Sequence, residues 1–393
     1  MKKHSIFWFY FGTLISSVGS FSFNICLVAF MVKVGFDLFH VSLILGLQRL
    51  VPILVAGLVG HRTDDLPPRL TVVASELGAA IATLGILWSW SHGHSGYWLL
   101  VAFSLIKTCI VTFQVGSRAK ITKLLSDSTY ASNASHAIWF NKATQGATLF
   151  AGLCAWPIVM YLNFETAIWF DLITFALNGL IIFLLPINDV KAPETIMEKQ
   201  SIFSKFSEFY RHNSRAARLD LLLAISMMGT TSFTARLAGD DQTWMAVFIG
   251  GYGASVWLSG FIERSQILKQ YRSLLFWIGL GLSYALVGMF SGQGLLTLGF
   301  VLCKDTFYWL LLHRISSHIQ ADTPQSIMGA VTSARMTQMV IVLATGELLV
   351  GFWSKTFPIF LDGGWRAVFC LAVAVLMMMP KYQAEEKHGY AKL

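Results

Sequence analysis

Residues 5–33 read SIFWFYFGTLISSVGSFSFNICLVAFMVK, a run with one basic side chain, at Lys33, and no acidic one. A helix that crosses the hydrocarbon core of a bilayer needs roughly 20 apolar residues, and this run is long enough. The basic start, Lys2, Lys3 and His4, resembles a signal peptide, but the apolar run is too long for one and has no small-residue cleavage site. We therefore predict that this stretch is the first membrane helix.

The composition of the whole chain indicates the same environment. Hydrophobic residues make up 55% of the 393 positions and charged residues 13%, and the mean hydropathy is +0.61. A soluble domain carries about a quarter charged residues, so this chain cannot cover itself with polar groups. Its apolar runs are continuous rather than alternating, which argues against a membrane β-barrel. The sequence predicts an all-α membrane protein with about twelve transmembrane helices.

Apolar runs and polar breaks divide the chain into predicted helices and domains. The central segment 187–216 is charged, contains Pro193 and is predicted to be a cytoplasmic linker between two six-helix bundles, 1–186 and 217–393. The helices are predicted near 5–33, 40–60, 70–91, 97–118, 131–160, 164–186, 217–237, 244–262, 273–292, 295–317, 327–353 and 365–380.

The basic residues predict how the chain is oriented. With the N-terminus inside, the cytoplasmic segments hold 20 Lys and Arg, and the outer loops hold only Lys33, Lys355 and Arg366. Cytoplasmic loops of membrane proteins carry an excess of Lys and Arg, so both termini are predicted to be cytoplasmic. This distribution also explains the net charge of +8 without a nucleic-acid partner.

Related features in the two halves indicate an internal repeat. Lys107 on the fourth helix and Lys304 on the tenth are 197 residues apart, about half the chain. After each come a basic position, a polar turn and a helix with a buried cation, Lys142 in one half and Arg335 in the other.

The loop between the second and third helices, Gly60-His-Arg-Thr-Asp-Asp-Leu-Pro-Pro-Arg69, resembles the signature loop of the major facilitator superfamily. Gly60, Asp64 and Arg69 fit that pattern, and the resemblance implies that they form a gate; Asp65 stands where an arginine is usual. Within the superfamily, four stretches resemble the enterobactin-exporter branch: Ser16–Gly19, Gln48–Pro52, the segment around Asn133, and Asp322–Gly329. The glycine-proline motif that many antiporters carry on the fifth helix is degraded here to Gly146–Gly152.

Ionisable residues at membrane depth cost roughly 2.5–3.5 kcal/mol each on insertion scales, so each requires a reason. The resemblance implies that helices 1, 4, 7 and 10 line a central cavity, with 2, 5, 8 and 11 beside it. Cations fall on these helices, whereas the acids Glu76 and Asp171 fall on outer ones. A cavity rich in cations would attract an anion. The predicted substrate-binding residues are Asn24, Arg49, Lys107, Gln114, Asn141, Lys142, Lys304, Tyr308 and Arg335.

A structural reading of the same cations stays open, in which buried cations pair with buried acids to hold helices together. For Arg236, beside Asp240 and Asp241, that reading is preferred. Asp305 is the first candidate proton carrier and Glu347 the second. Asp305 is expected not to pair well with adjacent Lys304, because successive helical residues point about 100° apart.

The sequence thus predicts a secondary transporter of a small anionic metabolite, with a carboxylate-type siderophore as the favoured solute and proton-coupled export as the favoured direction. Alternatives are an importer of ferric siderophores or other organic anions, a multidrug exporter and a lysolipid flippase. A membrane enzyme such as an acyltransferase is disfavoured, because no nucleophile and base are paired at a membrane face. We expect a monomer in the bacterial inner membrane, with protons or another coupling ion as partner, no cofactor, no metal and no catalytic residues.

Overall fold

The computed structural model describes residues 2–59, 66–125, 130–186, 202–239, 241, 243–264, 273–323, 328–353 and 356–378. All regular secondary structure in these residues is helical. The helices are α1 Lys2–Lys33, α2 Leu38–Val59, α3 Pro68–Trp90, α4 Tyr97–Leu125, α5 Tyr130–Tyr161, α6 Phe164–Leu184, α7 Ile202–Ser226, α8 Thr230–Ala238, α9 Thr243–Arg264, α10 Ser273–Met289, α11 Leu295–Asp322, α12 Met328–Trp353 and α13 Ile359–Met378; a short 3-10 helix, Gly93–Gly96, precedes α4.

The exposed faces of the helices are apolar. Eight helices in the described residues are long and apolar enough to cross a membrane. On α3 the exposed residues include Leu70, Leu77 and Ile81, whereas Glu76 and Thr83 on the opposite face are fully buried. An apolar exterior around polar interior groups is the arrangement expected where lipid is the solvent. The chain is therefore a multi-pass membrane protein, as predicted.

The helices fall into two compact units. Unit 1 consists of Met1–Ile196 and Asp241–Gly253, and in it α1 packs against α5 and α6, and α3 packs against α4 and α6. Small residues allow close approach: a Cβ on Gly19 of α1 would lie 1.9 Å from Oγ1 of Thr174 on α6. Glycine is therefore required where these two helices meet.

Unit 2 consists of Met197–Asp240 and Ala254–Leu393. Its helices pair in a similar order: α7 packs against α12, and α10 packs against α11 and α13. Gly288 of α10 and Gly363 of α13 meet closely, because a Cβ on Gly363 would lie 2.9 Å from the Cα of Gly288. The bundle boundaries 1–186 and 217–393 stay a prediction, and α7 begins at Ile202, inside the predicted linker.

The structure corrects the prediction of a single helix at 217–237. α7 ends at Ser226 and α8 begins at Thr230, with Gly229 between them at φ +63°. This left-handed conformation suits glycine, which has no Cβ to clash with the following carbonyl. The seventh membrane segment is therefore a broken helix.

The placement of Arg366 in an outer loop was also wrong. α13 begins at Ile359, earlier than the predicted 365, so Arg366 lies in the second turn of that helix and is fully buried. Asp362, three residues before the predicted start, lies in the first turn of α13 and is buried as well.

Candidate functional site

Lys107 is buried in unit 1 and pairs with an acid. Its ammonium group on α4 donates to Oδ2 of Asp171 on α6, and both side chains are almost fully buried. The ring of Phe23 lies 3.7 Å from the Lys107 Nζ, which adds a cation–π contact. Asp171 also faces two hydroxyl groups, Thr83 Oγ1 at 3.2 Å and Ser20 Oγ at 3.4 Å.

A second acid–base pair in unit 1 joins Glu76 and Arg118. Nη2 of Arg118 lies 2.5 Å from Oε1 of Glu76. Asn178 Nδ2 donates to the same oxygen at 2.8 Å, and Ser16 Oγ donates to Oε2 at 3.2 Å. This pair was not predicted, because α4 was expected to end at Arg118, whereas it continues to Leu125. The depth of Glu76 in an apolar run was the available signal, since a buried carboxylate requires a partner.

Lys304 and Asp305 form an ion pair in unit 2. Lys304 Nζ lies 2.8 Å from Asp305 Oδ1, and both side chains are about 1% exposed. The expectation that these neighbours would not pair was therefore wrong. The long flexible stem of lysine lets the ammonium group fold back across the 100° between adjacent positions. The ring of Tyr284 on α10 lies 5.6 Å from the same Nζ.

Arg335 on α12 pairs with Asp220 on α7. Nε of Arg335 donates to Asp220 Oδ1 at 2.9 Å, and Nη1 donates to Ser316 Oγ at 2.8 Å. Asp220 is fully buried and was not among the candidates. It lies at the edge of the predicted seventh helix, four residues after the predicted linker.

The free carbonyl groups at the end of α7 are bound by a buried arginine. Arg366 of α13 donates from Nη1 to the carbonyl of Ser226 at 2.9 Å and from Nη2 to the carbonyl of Met228 at 2.5 Å. Asp362, one turn earlier on α13, accepts from Arg366 Nε at 2.9 Å. The positive guanidinium thus lies at the negative end of the α7 dipole.

The free amide groups at the start of α8 are bound by Glu347 of α12. Its two carboxylate oxygens accept from the backbone amides of Thr231 and Ser232 at 3.1 Å each, and the Ser232 hydroxyl donates to it at 2.8 Å. A carboxylate at the positive end of a helix dipole is stabilising. The two ends of the broken seventh segment are therefore held by oppositely charged side chains from α12 and α13.

Arg236, near the end of α8, pairs with α13. Its Nη1 lies 3.0 Å from Asp362 Oδ2, and its Nη2 donates to the carbonyl of Phe357. The structural reading of Arg236 thus agrees with the contacts, although the acid is Asp362. Asp240 lies outside the described residues.

The other predicted site residues are placed as follows. Asn24 and Arg49 are half-buried on α1 and α2, and Tyr308 is buried on α11. Gln114 is buried on α4, and its Oε1 atom accepts no hydrogen bond in the described part of the chain. Asn141 and Lys142 lie on α5, but their side chains fall outside what the structure describes.

Of the three predicted gating residues, Arg69 is described. Its guanidinium lies 5.2 Å from the ring centroid of Phe183 and donates to the Phe183 carbonyl on α6. Gly60 and Asp64 lie outside the described residues, so the gate stays a prediction.

The buried charges are largely balanced within each unit. Lys107, Lys304 and Arg335, three of the predicted substrate-binding cations, each contact a buried acid. No group of three or more His, Cys, Asp and Glu side chains suited to a metal ion occurs in the ranges described above. Each unit thus contains paired, buried charged groups behind an apolar exposed surface. That the predicted residues bind a substrate stays a prediction.

No family model matches the sequence, and no curated protein is similar to it in sequence. Solved structures are similar in fold. A mutant of the nucleoside transporter NupG superposes with a TM-score of 0.74 at 11% identity, over 95% of this chain and all of the other. A POT family transporter in complex with a thioalcohol-conjugated peptide gives a TM-score of 0.74 at 12% identity, over 95% of both chains.

A third structure, a mutant of the peptide transporter POT, gives a TM-score of 0.72 at 13% identity and covers 98% of this chain. At these identities the likeness concerns the fold. The chain therefore shares the fold of these nucleoside and peptide transporters of known structure.

Proposed function

We propose that this protein moves a small polar solute across a bacterial inner membrane by alternating access of two six-helix halves, with both termini in the cytoplasm and with proton coupling. The observation that carries the proposal is the presence of acid–base pairs at membrane depth in both units, Lys107 with Asp171 and Lys304 with Asp305. Apolar side chains of similar volume hold helices together as well or better, so buried charges in a membrane span are a functional signal.

The pairing bears on the charge of the solute. An anionic solute was predicted because cations outnumber acids on the predicted cavity helices, but three of those cations are paired with acids. A strongly anionic solute would have to displace a carboxylate from its partner. A neutral or zwitterionic polar solute would meet no such competition, and the names of the similar structures refer to nucleosides and peptides. We therefore favour a neutral or zwitterionic solute.

An anionic solute, with a carboxylate-type siderophore exported by proton antiport as its example, is the second candidate. Its support is the number of basic residues on the predicted cavity helices, including Arg49 and Lys142. Import of an organic anion has the same support and the opposite direction.

The experiment is proton-coupled transport by the full-length protein reconstituted in liposomes that contain a pH-sensitive dye. Uridine, dialanine and citrate serve as probes of neutral, zwitterionic and anionic solutes, and protein-free liposomes are the control. We expect uridine or dialanine to drive proton movement and citrate to drive none. Proton movement with citrate alone would support the anionic candidate, and movement with none of a broad solute panel would contradict proton-coupled transport.

A further inference from the structure

The buried charges of unit 1 form two polar layers inside the interface of α1, α3, α4 and α6. Each layer contains one acid and one base, and each takes one side chain from each of the four helices. The first layer is Ser20, Thr83, Lys107 and Asp171; the second is Ser16, Glu76, Arg118 and Asn178.

The two layers lie on one continuous stripe of each helix. Their members are four residues apart on α1, seven on α3 and α6, and eleven on α4. Offsets of four, seven and eleven residues return to the same helix face, and seven residues rise about 10 Å. The layers are therefore stacked along the helix axes, one above the other.

Gln114 lies between the layers. It is seven residues after Lys107 and four before Arg118 on α4, so it shares their stripe. Its side chain is 2% exposed, and its Oε1 has no hydrogen-bond partner among the described residues. Asn178 Oδ1 and Arg118 Nε, in the second layer, are also buried and without a partner there.

These unsatisfied atoms point to bound water. Buried polar groups are almost always hydrogen-bonded, and a buried water typically makes about three hydrogen bonds to otherwise unsatisfied groups. Ion pairs that only lock helices together would be expected to satisfy their polar neighbours directly, because a partly satisfied buried network is costly. Here two acceptors, Gln114 Oε1 and Asn178 Oδ1, and one donor, Arg118 Nε, are left over in the second layer and beside it.

We propose that unit 1 binds water at Gln114, and that the column from Lys107–Asp171 to Arg118–Glu76 carries protons between the Asp171 and Glu76 carboxylates. A proton received by one carboxylate passes to a neighbouring water, and that water releases one of its own protons toward the other carboxylate. Each water gains and loses one proton, so none is consumed. The proposal rests on the proposed proton-coupled transport and assigns its proton path to unit 1.

Charged and polar groups from all four helices face the two acids. Asp171 faces Lys107 from α4 and the hydroxyls of Thr83 and Ser20. Glu76 faces Arg118 from α4, with Asn178 from α6 and Ser16 from α1. Each acid thus has a base that balances its ionised form.

Infrared difference spectroscopy of the full-length protein in lipid tests the column without any solute. We expect acidification to produce a carboxylic-acid carbonyl band that shifts promptly when H₂O is replaced by D₂O. Asp171→Asn and Glu76→Gln should each remove part of this band. Gln114→Leu should leave the band in place and slow its deuterium shift, because the water between the layers loses its acceptor.

Two further variants make the test decisive. Gln338→Leu is the matched control, because Gln338 is a buried glutamine in unit 2 whose Oε1 accepts from the Tyr210 hydroxyl and whose Nε2 donates to the Ala217 carbonyl. This substitution should change neither the band nor its shift. Lys107→Met with Asp171→Asn removes both charges, which keeps the protein folded if Asp171→Asn alone does not. A band whose intensity is unchanged by both acid substitutions, or a Gln114→Leu shift as fast as wild type, would overturn the column. Transport in the liposome assay would stand in that case, so the two failures are distinguishable.

Discussion

Asp220 shows what a single buried carboxylate requires of its surroundings. Its side chain is fully buried, and Arg335 supplies the opposite charge at 2.8 Å. Removing the base from such a pair leaves an uncompensated buried charge, whereas removing both partners does not.

We therefore expect Arg335→Met to lower the free energy of unfolding by about 3–5 kcal/mol. Adding Asp220→Leu to Arg335→Met should restore most of that loss. Arg218→Met is the control, because Arg218 is an exposed arginine on α7, two residues from Asp220, and its substitution should change stability little. The measurement is denaturant unfolding in detergent followed by tryptophan fluorescence, and a double variant no more stable than Arg335→Met would contradict the pairing.

Residues such as these also show how far a sequence can predict a site. The depth of Lys107, Lys304 and Arg335 in apolar runs was evident from hydropathy alone. Their partners were not, because pairing across helices depends on packing that no sequence spacing encodes. Asp305 was not expected to pair with Lys304, because adjacent helical residues point about 100° apart. The flexible lysine side chain nevertheless reaches the Asp305 carboxylate.

At the scale of one element, the break between α7 and α8 is the feature most dependent on local sterics. A Cβ on Gly229 would lie 2.4 Å from Val350 Cγ2 and 2.8 Å from the Gly346 carbonyl of α12. Gly229 also has a left-handed backbone conformation. Two separate costs therefore oppose any side chain at this position.

Gly229→Ala should destabilise the protein by more than the roughly 1–2 kcal/mol of left-handed strain, since the clash with α12 adds to it. Gly93→Ala is the control for the backbone strain without the clash, because Gly93 has φ +58° and nothing within 4 Å of the position that a Cβ would take. Gly364→Ala provides neither and should be close to wild type. The loss of unfolding free energy should be largest for Gly229→Ala, smaller for Gly93→Ala and smallest for Gly364→Ala, and equal losses at Gly229 and Gly93 would refute the contact with α12.

The broken helix was not predicted because the apolar character of 217–237 is high enough for one span. The polar run Thr230-Thr231-Ser232 directly after Gly229 was the local signal, since glycine followed by Ser and Thr favours a helix start. Other helices were predicted well wherever long apolar runs are separated by charged or glycine-rich turns, as at α3 and α6.

At the scale of the whole molecule, the orientation in the membrane can be tested independently of the fold. With Arg366 buried in α13, the predicted outer loops hold two basic residues, Lys33 and Lys355, against 20 in the cytoplasmic segments. The excess of basic residues on the predicted cytoplasmic side is therefore larger than first counted, which supports the predicted orientation.

We expect green fluorescent protein fused to the C-terminus to fluoresce and alkaline phosphatase fused there to be inactive. Alkaline phosphatase fused after His94, in a predicted outer loop, should be active and serves as the control. The opposite pattern at both positions would reverse the predicted topology.

The capping of α8 from other helices has a consequence for how such a protein changes during evolution. α8 spans nine residues, about 13 Å. Glu347 of α12 accepts hydrogen bonds from its first amides, and Arg236 near its C-terminus pairs with Asp362 of α13. Substitutions more than a hundred positions away in the chain can therefore re-aim this short segment while its own residues stay unchanged. Under the proposed function, new solute preferences would then arise from substitutions in the last two helices, at sites that a comparison of the predicted cavity-lining residues alone would overlook.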